Sequence, residues 1–332
     1  MRFPVASLAL FATLVLSCAP PIPGGPDQDL LAIIEMSQEN IPLRGERLVR
    51  LTTADGMVEH REMLTTDGQG GFLLELLSVN DTNAQGGSDA QVAADWPLIE
   101  ALFELRSPYF WRYRDFRIRD VGLLLQNYWL SSDGLATVAG RPVWLLKSTS
   151  KVDGRVFDYA VDQATGAFLS TRIHDPVRQF TLYTEFLNVD FQADLSGVDF
   201  HDNGTAVTPL ATGNPASWTT GSEALELRLV PDGYVAWRTE EILVPGQQVP
   251  FYVDIYTDGA ETLFLVQRPV ASGGLGLLLG SGTIAGVPQP PVIHAQEVGR
   301  ATVLAAQTAE MAVALMGTAP RDELMTAFET LQ

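Results

Sequence analysis

The sequence predicts an α+β protein in two parts: a long antiparallel meander with helices packed against it, then a smaller α/β domain. Three observations lead there. Residues 138–190 alternate strand-like runs with turn dipeptides. Both faces of those strands carry large apolar side chains. A stretch over 191–222, poor in long apolar runs and rich in Asp, Gly, Thr and Pro, separates them from a second set of strand-like runs.

Taken in order, the chain opens with Met1-Arg2, an apolar run from Phe3 to Leu16, and Val15-Leu16-Ser17-Cys18. The run is too short for a stable span. An aliphatic residue, a tolerant position, a small residue and cysteine form a bacterial lipobox, with the chain's single cysteine where the thioether lipid would attach. Residues 1–17 are therefore expected to be a lipoprotein signal peptide, and Cys18 the lipidated residue, carrying palmitate-type acyl chains. Residues 18–28, with four prolines and two glycines in APPIPGGPD, read as a tether,. Ala19 after the cysteine is no inner-membrane retention signal, so the expected location is the periplasmic face of the outer membrane.

A first helix is expected over Asp29–Asn40, stopped by Pro42. Strands follow at 45–52, 57–65 and 71–79, with Phe72, Leu74 and Leu76 facing one way,. Residues 80–89 are a polar loop. Asp95 can cap a helix running to Arg106. The stretch RSPYFWRYRDFRIR (106–119) is the basic-aromatic cluster of the chain. It suits either a phosphate or headgroup grip, or arginines lying over an apolar rim and paired with Asp115 and Asp120. Leu123–Leu130 reads as helix or strand, its second half leading through a turn at Asp133-Gly134 into the meander.

The meander itself has strands at 141–149, 155–161, 167–174 and 179–190. They are divided by the Asp153-Gly154 hairpin, the DQATG turn and Asp175-Pro176, where proline cannot donate to a ladder,. A sheet with one wet face should alternate apolar with polar, and this one does not. Each face must meet something apolar, either helices and a second domain or an apolar ligand. Beyond the boundary, hairpins are expected at 224–230 with 234–242 and at 249–256 with 261–267. A strand is expected at 292–298, a helix from Thr308 to Gly317, and a terminal helix over 320–331 with Leu324, Met325 and Phe328 inward.

VAGRPVWLL, a DG hairpin, DYAVDQATGAFLSTRIHD and a closing aromatic strand together resemble periplasmic sigma-E regulatory proteins of the RseB/MucB type. The VAGRP segment, the D-x-x-T-G turn and the YTDG at Tyr256–Gly259 carry the likeness, in order along most of the chain. The resemblance implies a LolA-like half-barrel, its helices on the concave side, over residues 29–201. A 202–222 linker and a small partner-binding domain over 223–332 would follow. The two apolar sheet faces separately suggest an apolar cavity on the concave side, for which the candidates are Phe72, Leu74, Leu76, Trp144, Leu146, Phe157 and Tyr159. The regulators of this family are free in the periplasm, whereas this chain carries a lipid-attachment signal.

Composition narrows the function classes. A formal net charge of −19 opposes nucleic acid and anionic lipid headgroups,. His60, His174, His201 and His294 share no metal-ligand spacing,. There is no nucleophile elbow, P-loop or HExxH. Gly274, Gly276 and Gly280 approach a dinucleotide fingerprint but follow antiparallel hairpins and open no helix,. No catalytic residue, cofactor or metal is expected. The leading expectation is a non-catalytic envelope lipoprotein that binds a lipid or acylated ligand in its large domain and an anti-sigma factor or other envelope protein through the small one. A LolA/LolB-like carrier or receptor is the alternative, and an enzyme of unknown chemistry a further one.

Overall fold

A computed structural model describes residues 41–53, 56–69, 71–81, 108–111, 113, 115–177, 179–200, 206–210, 224–244, 248–272, 275, 293–298, 301–308 and 310–331. Cys18, the tether and the two helices expected over 29–40 and 95–106 lie outside these residues, as do 201–205 and 211–222 of the expected boundary.

The described residues form two antiparallel sheets. The first has eight strands in the order β3-β2-β1-β8-β7-β6-β5-β4. Its strands are β1 (Pro42–Thr53), β2 (Gly56–Asp67), β3 (Phe72–Asp81), β4 (Tyr128–Val138), β5 (Arg141–Ser150), β6 (Val156–Asp162), β7 (Phe168–Asp175) and β8 (Phe180–Phe186). Local turn chemistry fixes the meander. Ala139 (φ 49°) and Gly140 (φ 75°) make the two-residue turn between β4 and β5, and Gly154 (φ 73°) and Gly166 (φ 77°) serve the next two,. β8 then closes back on β1, from Arg47 opposite Phe186 to Thr52 opposite Thr181.

The turn expected at Asp133-Gly134 is instead a bulge inside β4, with a register shift between Ser132 and Gly134. Gly134 supplies the positive φ that the bulge needs, so the same dipeptide reads as a turn in sequence,. Before β4, the helix α2 (Val121–Asn127) is capped by Asp120, whose carboxylate accepts from Leu123 N at 2.8 Å,.

The second sheet has seven strands in the order β13-β14-β15-β12-β11-β10-β9. These are β9 (Ala206–Leu210), β10 (Val235–Leu243), β11 (Phe251–Thr257), β12 (Thr262–Pro269), β13 (His294–Val298), β14 (Ala301–Gln307) and β15 (Met311–Gly317). Its central strands are buried on both faces. One face packs on Tyr109, Phe110 and Tyr113; the other packs on the terminal helix α3 (Arg321–Phe328) through Leu324, Ala327 and Phe328.

Two sequence expectations fail here. Thr308–Gly317 is not a helix. Thr308 turns the chain, its hydroxyl accepting from Glu310 N and Met311 N at 3.2 and 2.9 Å, and β15 runs between β12 and β14. A short apolar run such as MAVALMG cannot be told from a buried helix by periodicity. Residues 224–230 form no strand. β9 pairs with β10 in their place, and Leu225 is held by the Gln267 amide through two bonds of 2.7 Å.

The basic-aromatic stretch is described at 108–111, 113 and 115–119. It is a strap between the two sheets. Its short helix α1 (Pro108–Trp111) and Tyr113 place three rings in the core of the second sheet, while Phe116 and Ile118 enter the core of the first. Burial lowers the pKa of Arg119 to about 10,. From the other side, the Tyr256–Gly259 hairpin docks on α2. Gly259 O accepts from Arg119 N at 2.8 Å. Asn127 donates to Asp258 O at 2.8 Å and to Gly233 O at 2.9 Å. Tyr128 donates to the Asp258 carboxylate at 2.6 Å, and Arg155 reaches both Asp258 (3.6 Å) and Thr318 (3.1 Å). Burial is the main force pushing the Asp258 carboxyl above its usual range, against the pull of Arg155,.

Candidate functional site

Strand register divides the inner face of the first sheet into rows. Val58, Leu51, Leu182, Ile173 and Phe157 lie opposite one another in one row. They belong to a closed core, where Phe116 from the strap stacks on Phe157 (4.9 Å between centroids) and on Tyr159 (4.8 Å). The next rows are polar in their middle. Val49 is flanked by His60 and Thr184, and Arg47 by Glu62 and Phe186. Arg47 Nε donates to Glu62 at 2.5 Å, its NH1 donates to Asp115 at 2.7 Å, and His60 Nε2 lies 2.9 Å from Glu62. Thr171 and Thr184 share a hydrogen bond of 2.7 Å.

Beyond this polar band the face turns apolar again. Leu64 stands opposite both Leu74 and Gly45. Gly45 is required here because a Cβ would fall 2.7 Å from the Phe186 ring, which lies over it. The register shift between Ala160 and Val161 sets Phe168 opposite Val161 and adds a third aromatic beside Phe116 and Phe186. These groups enclose a pocket of about 80 Å³. Its floor is the buried Leu43, Arg47, Phe116, Thr171, Thr184 and Phe186; its half-buried rim is Ile41, Leu64, Thr66, Asp115, Arg117 and Phe168.

The seven cavity candidates from the sequence separate into three groups. Leu146, Phe157 and Tyr159 are buried in the closed core, with Trp144 half-buried against it. Phe72 and Leu74 are buried at the β3 end, and Leu76 is 40% exposed there. None of the seven lines the pocket, though Leu74 adjoins it across from Leu64. Sequence reasoning missed Arg47, Leu43, Leu64 and Phe168. The alternation of Leu43, Arg47, Val49 and Leu51 along β1 was the available signal, with a cation at one inward position,. Among the described residues no cluster of His, Cys, Asp and Glu could hold a metal ion, and no helix is long and apolar enough to cross a membrane.

No protein-family model matches the chain, and no characterised protein matches it in sequence. Solved structures are similar to it in fold. MucB in the MucA/MucB complex of Pseudomonas aeruginosa is 17% identical, with a TM-score of 0.47, over 92% of this chain and 98% of that one. MucB alone gives 17% identity and a TM-score of 0.47 over 91% and 96%. The lipoprotein LppX of Mycobacterium tuberculosis is 13% identical with a TM-score of 0.26, over 52% of this chain and all (100%) of its own. A LolA-superfamily protein of Nitrosomonas europaea is 7% identical with a TM-score of 0.20, over 50% and 94%. The chain is thus similar to MucB along most of its length, and to lipoprotein and LolA-type structures along about half of it.

Proposed function

We propose that the chain is a non-catalytic lipoprotein of the cell envelope. It binds a lipidic or acylated ligand in the pocket of the eight-stranded sheet and a protein partner through the seven-stranded part. The observation that carries this reading is the pocket. It is a recess lined by the apolar Leu43, Leu64, Phe116, Phe168 and Phe186 and by the polar Arg47, Thr171 and Thr184, beside the filled core of Phe116 and Phe157. Apolar walls with a few placed polar groups are what a small amphipathic ligand needs. At about 80 Å³ the recess is roughly half the ~150 Å³ cavity that admits benzene,. It takes one end of a ligand, and the rest lies over the rim. The RseB/MucB-like sequence motifs point to an anti-sigma-type partner, and the lipobox at Cys18 to an anchor at the periplasmic face of the outer membrane.

The test is equilibrium binding of a fluorescent monoacylglycerol to wild type and to Leu64→Trp, which fills the rim from a half-buried position. Saturable binding by wild type, lost in the variant, is the expected result. A folded wild type that shows no saturable binding would sink the lipid reading.

A further inference from the structure

We propose that the ligand of this pocket is a single-chain amphiphile whose alkyl chain leaves over Phe168 and lies on a row of apolar side chains running to the β4 edge of the eight-stranded sheet at Leu135. The inference rests on the lipid-ligand reading and adds to it a direction and a chain length.

Strand register fixes the row. Phe168 on β7 stands opposite Val161 on β6, Val161 opposite Trp144 on β5, and Trp144 opposite Leu135 on β4, the last strand on this side of the sheet. Residues directly opposite one another in an antiparallel pair put their side chains on the same face. Phe168 lines the pocket, so all four share the pocket's face. Exposure rises along the row. Val161 is fully buried, Phe168 and Trp144 are half-buried, and Leu135 is 71% exposed. The accessible apolar surface therefore begins at the pocket rim and ends at the sheet edge. Exposed leucines scattered singly are ordinary. This one closes a line continuous with a recess.

Continuity with the recess names the occupant. Arg47, Thr171 and Thr184 line the pocket, whereas the row is apolar. A head group belongs with the polar side chains and an alkyl chain on the row. Side chains on one face repeat about every 7 Å along a strand, so one row is wide enough for one chain. On the opposite side of the pocket, the row from Leu64 ends at the buried Leu74 on β3, the other edge strand. Three strand spacings of ~4.8 Å separate Phe168 from Leu135, about 14 Å in all and roughly the length of an extended dodecyl chain.

The test is competition by monoacylglycerols from octanoyl to palmitoyl, each below its critical micelle concentration, against a fluorescent monoacylglycerol on the full chain. Wild-type affinity should rise by up to about fourfold per added methylene and level off near the lauroyl chain, where the row ends. Leu135→Asn changes a side chain that is mostly in solvent, and should bring the plateau about four carbons earlier, one strand spacing,. Leu76→Asn, on β3 at the other edge, should leave the series unchanged. Contact is read separately: a monoacylglycerol brominated in mid-chain should quench the tryptophan fluorescence of wild type more than that of Trp144→Phe. Affinity independent of chain length, a plateau unmoved by Leu135→Asn or moved by Leu76→Asn, or equal quenching overturns the row and leaves the pocket reading intact. No saturable binding of any member of the series overturns both.

Discussion

Phe157→Ala is the sharpest test of which part of the inner face is core. Phe157 is fully buried (0% exposed) on β6, with Phe116 stacked 4.9 Å away and Tyr128 edge-on at 5.6 Å. Its truncation removes both ring contacts and leaves a cavity that the flanking strands cannot close, because β5 and β7 hold β6 in register on both sides. Phenylalanine-to-alanine changes at such sites cost ~3–5 kcal/mol. For a body of this size each kcal/mol lowers the melting temperature by about 2–4 °C, so a fall of about 6–20 °C is expected. The assay is thermal and urea unfolding followed by circular dichroism, run beside binding of a fluorescent monoacylglycerol. Because Phe157 does not line the pocket, the folded variant should keep its affinity for the probe. A loss of stability below ~1 kcal/mol together with weakened binding would refute the closed-core description and move the ligand onto Phe157.

Three further outcomes are expected. Gly259→Ala should loosen the contact between the two sheets, because the residue holds φ 104° and a Cβ there would lie 2.3 Å from Leu124 N. Limited proteolysis should then cut faster around 120–127 and 256–260, and an unchanged digestion pattern would count against that contact. Asp254 has a carboxyl raised by burial to about 6, despite a bond from Thr239 of 2.7 Å. The folded form holds its proton more tightly than the unfolded one, so stability is greatest below the unfolded pKa near 4 and falls as pH rises to about 6, by ~3 kcal/mol at most,. Asp254→Asn should flatten that decline, and an equally steep decline in the variant would exclude Asp254 as its source. Cys18→Ala should abolish partition of the full chain into detergent, and wild type that stays in the aqueous phase would remove the lipid anchor.

Local chemistry alone determined much of the first sheet. Gly140, Gly154 and Gly166 adopt positive φ, which few other residues tolerate, so they mark the meander's turns whatever surrounds them,. The alternation of buried and half-buried positions along β8 is likewise a property of that strand by itself,. Tertiary structure decided the rest. MAVALMG became β15 because β12 and β14 were there to pair with it. The described part of 106–119 became a strap because two separate cores were there to receive Tyr109, Phe110 and Tyr113 on one side and Phe116 on the other. The candidate site was the least legible part. Arg47 meets Glu62 from 15 residues away and Asp115 from 68, and Phe168 reaches the pocket only through a bulge between β6 and β7. Positive φ is a cost borne by one residue and is written in the sequence at that residue. An ion cluster on a sheet face depends on which strands become neighbours, and that is settled only when β8 closes on β1 and the strap lies across them.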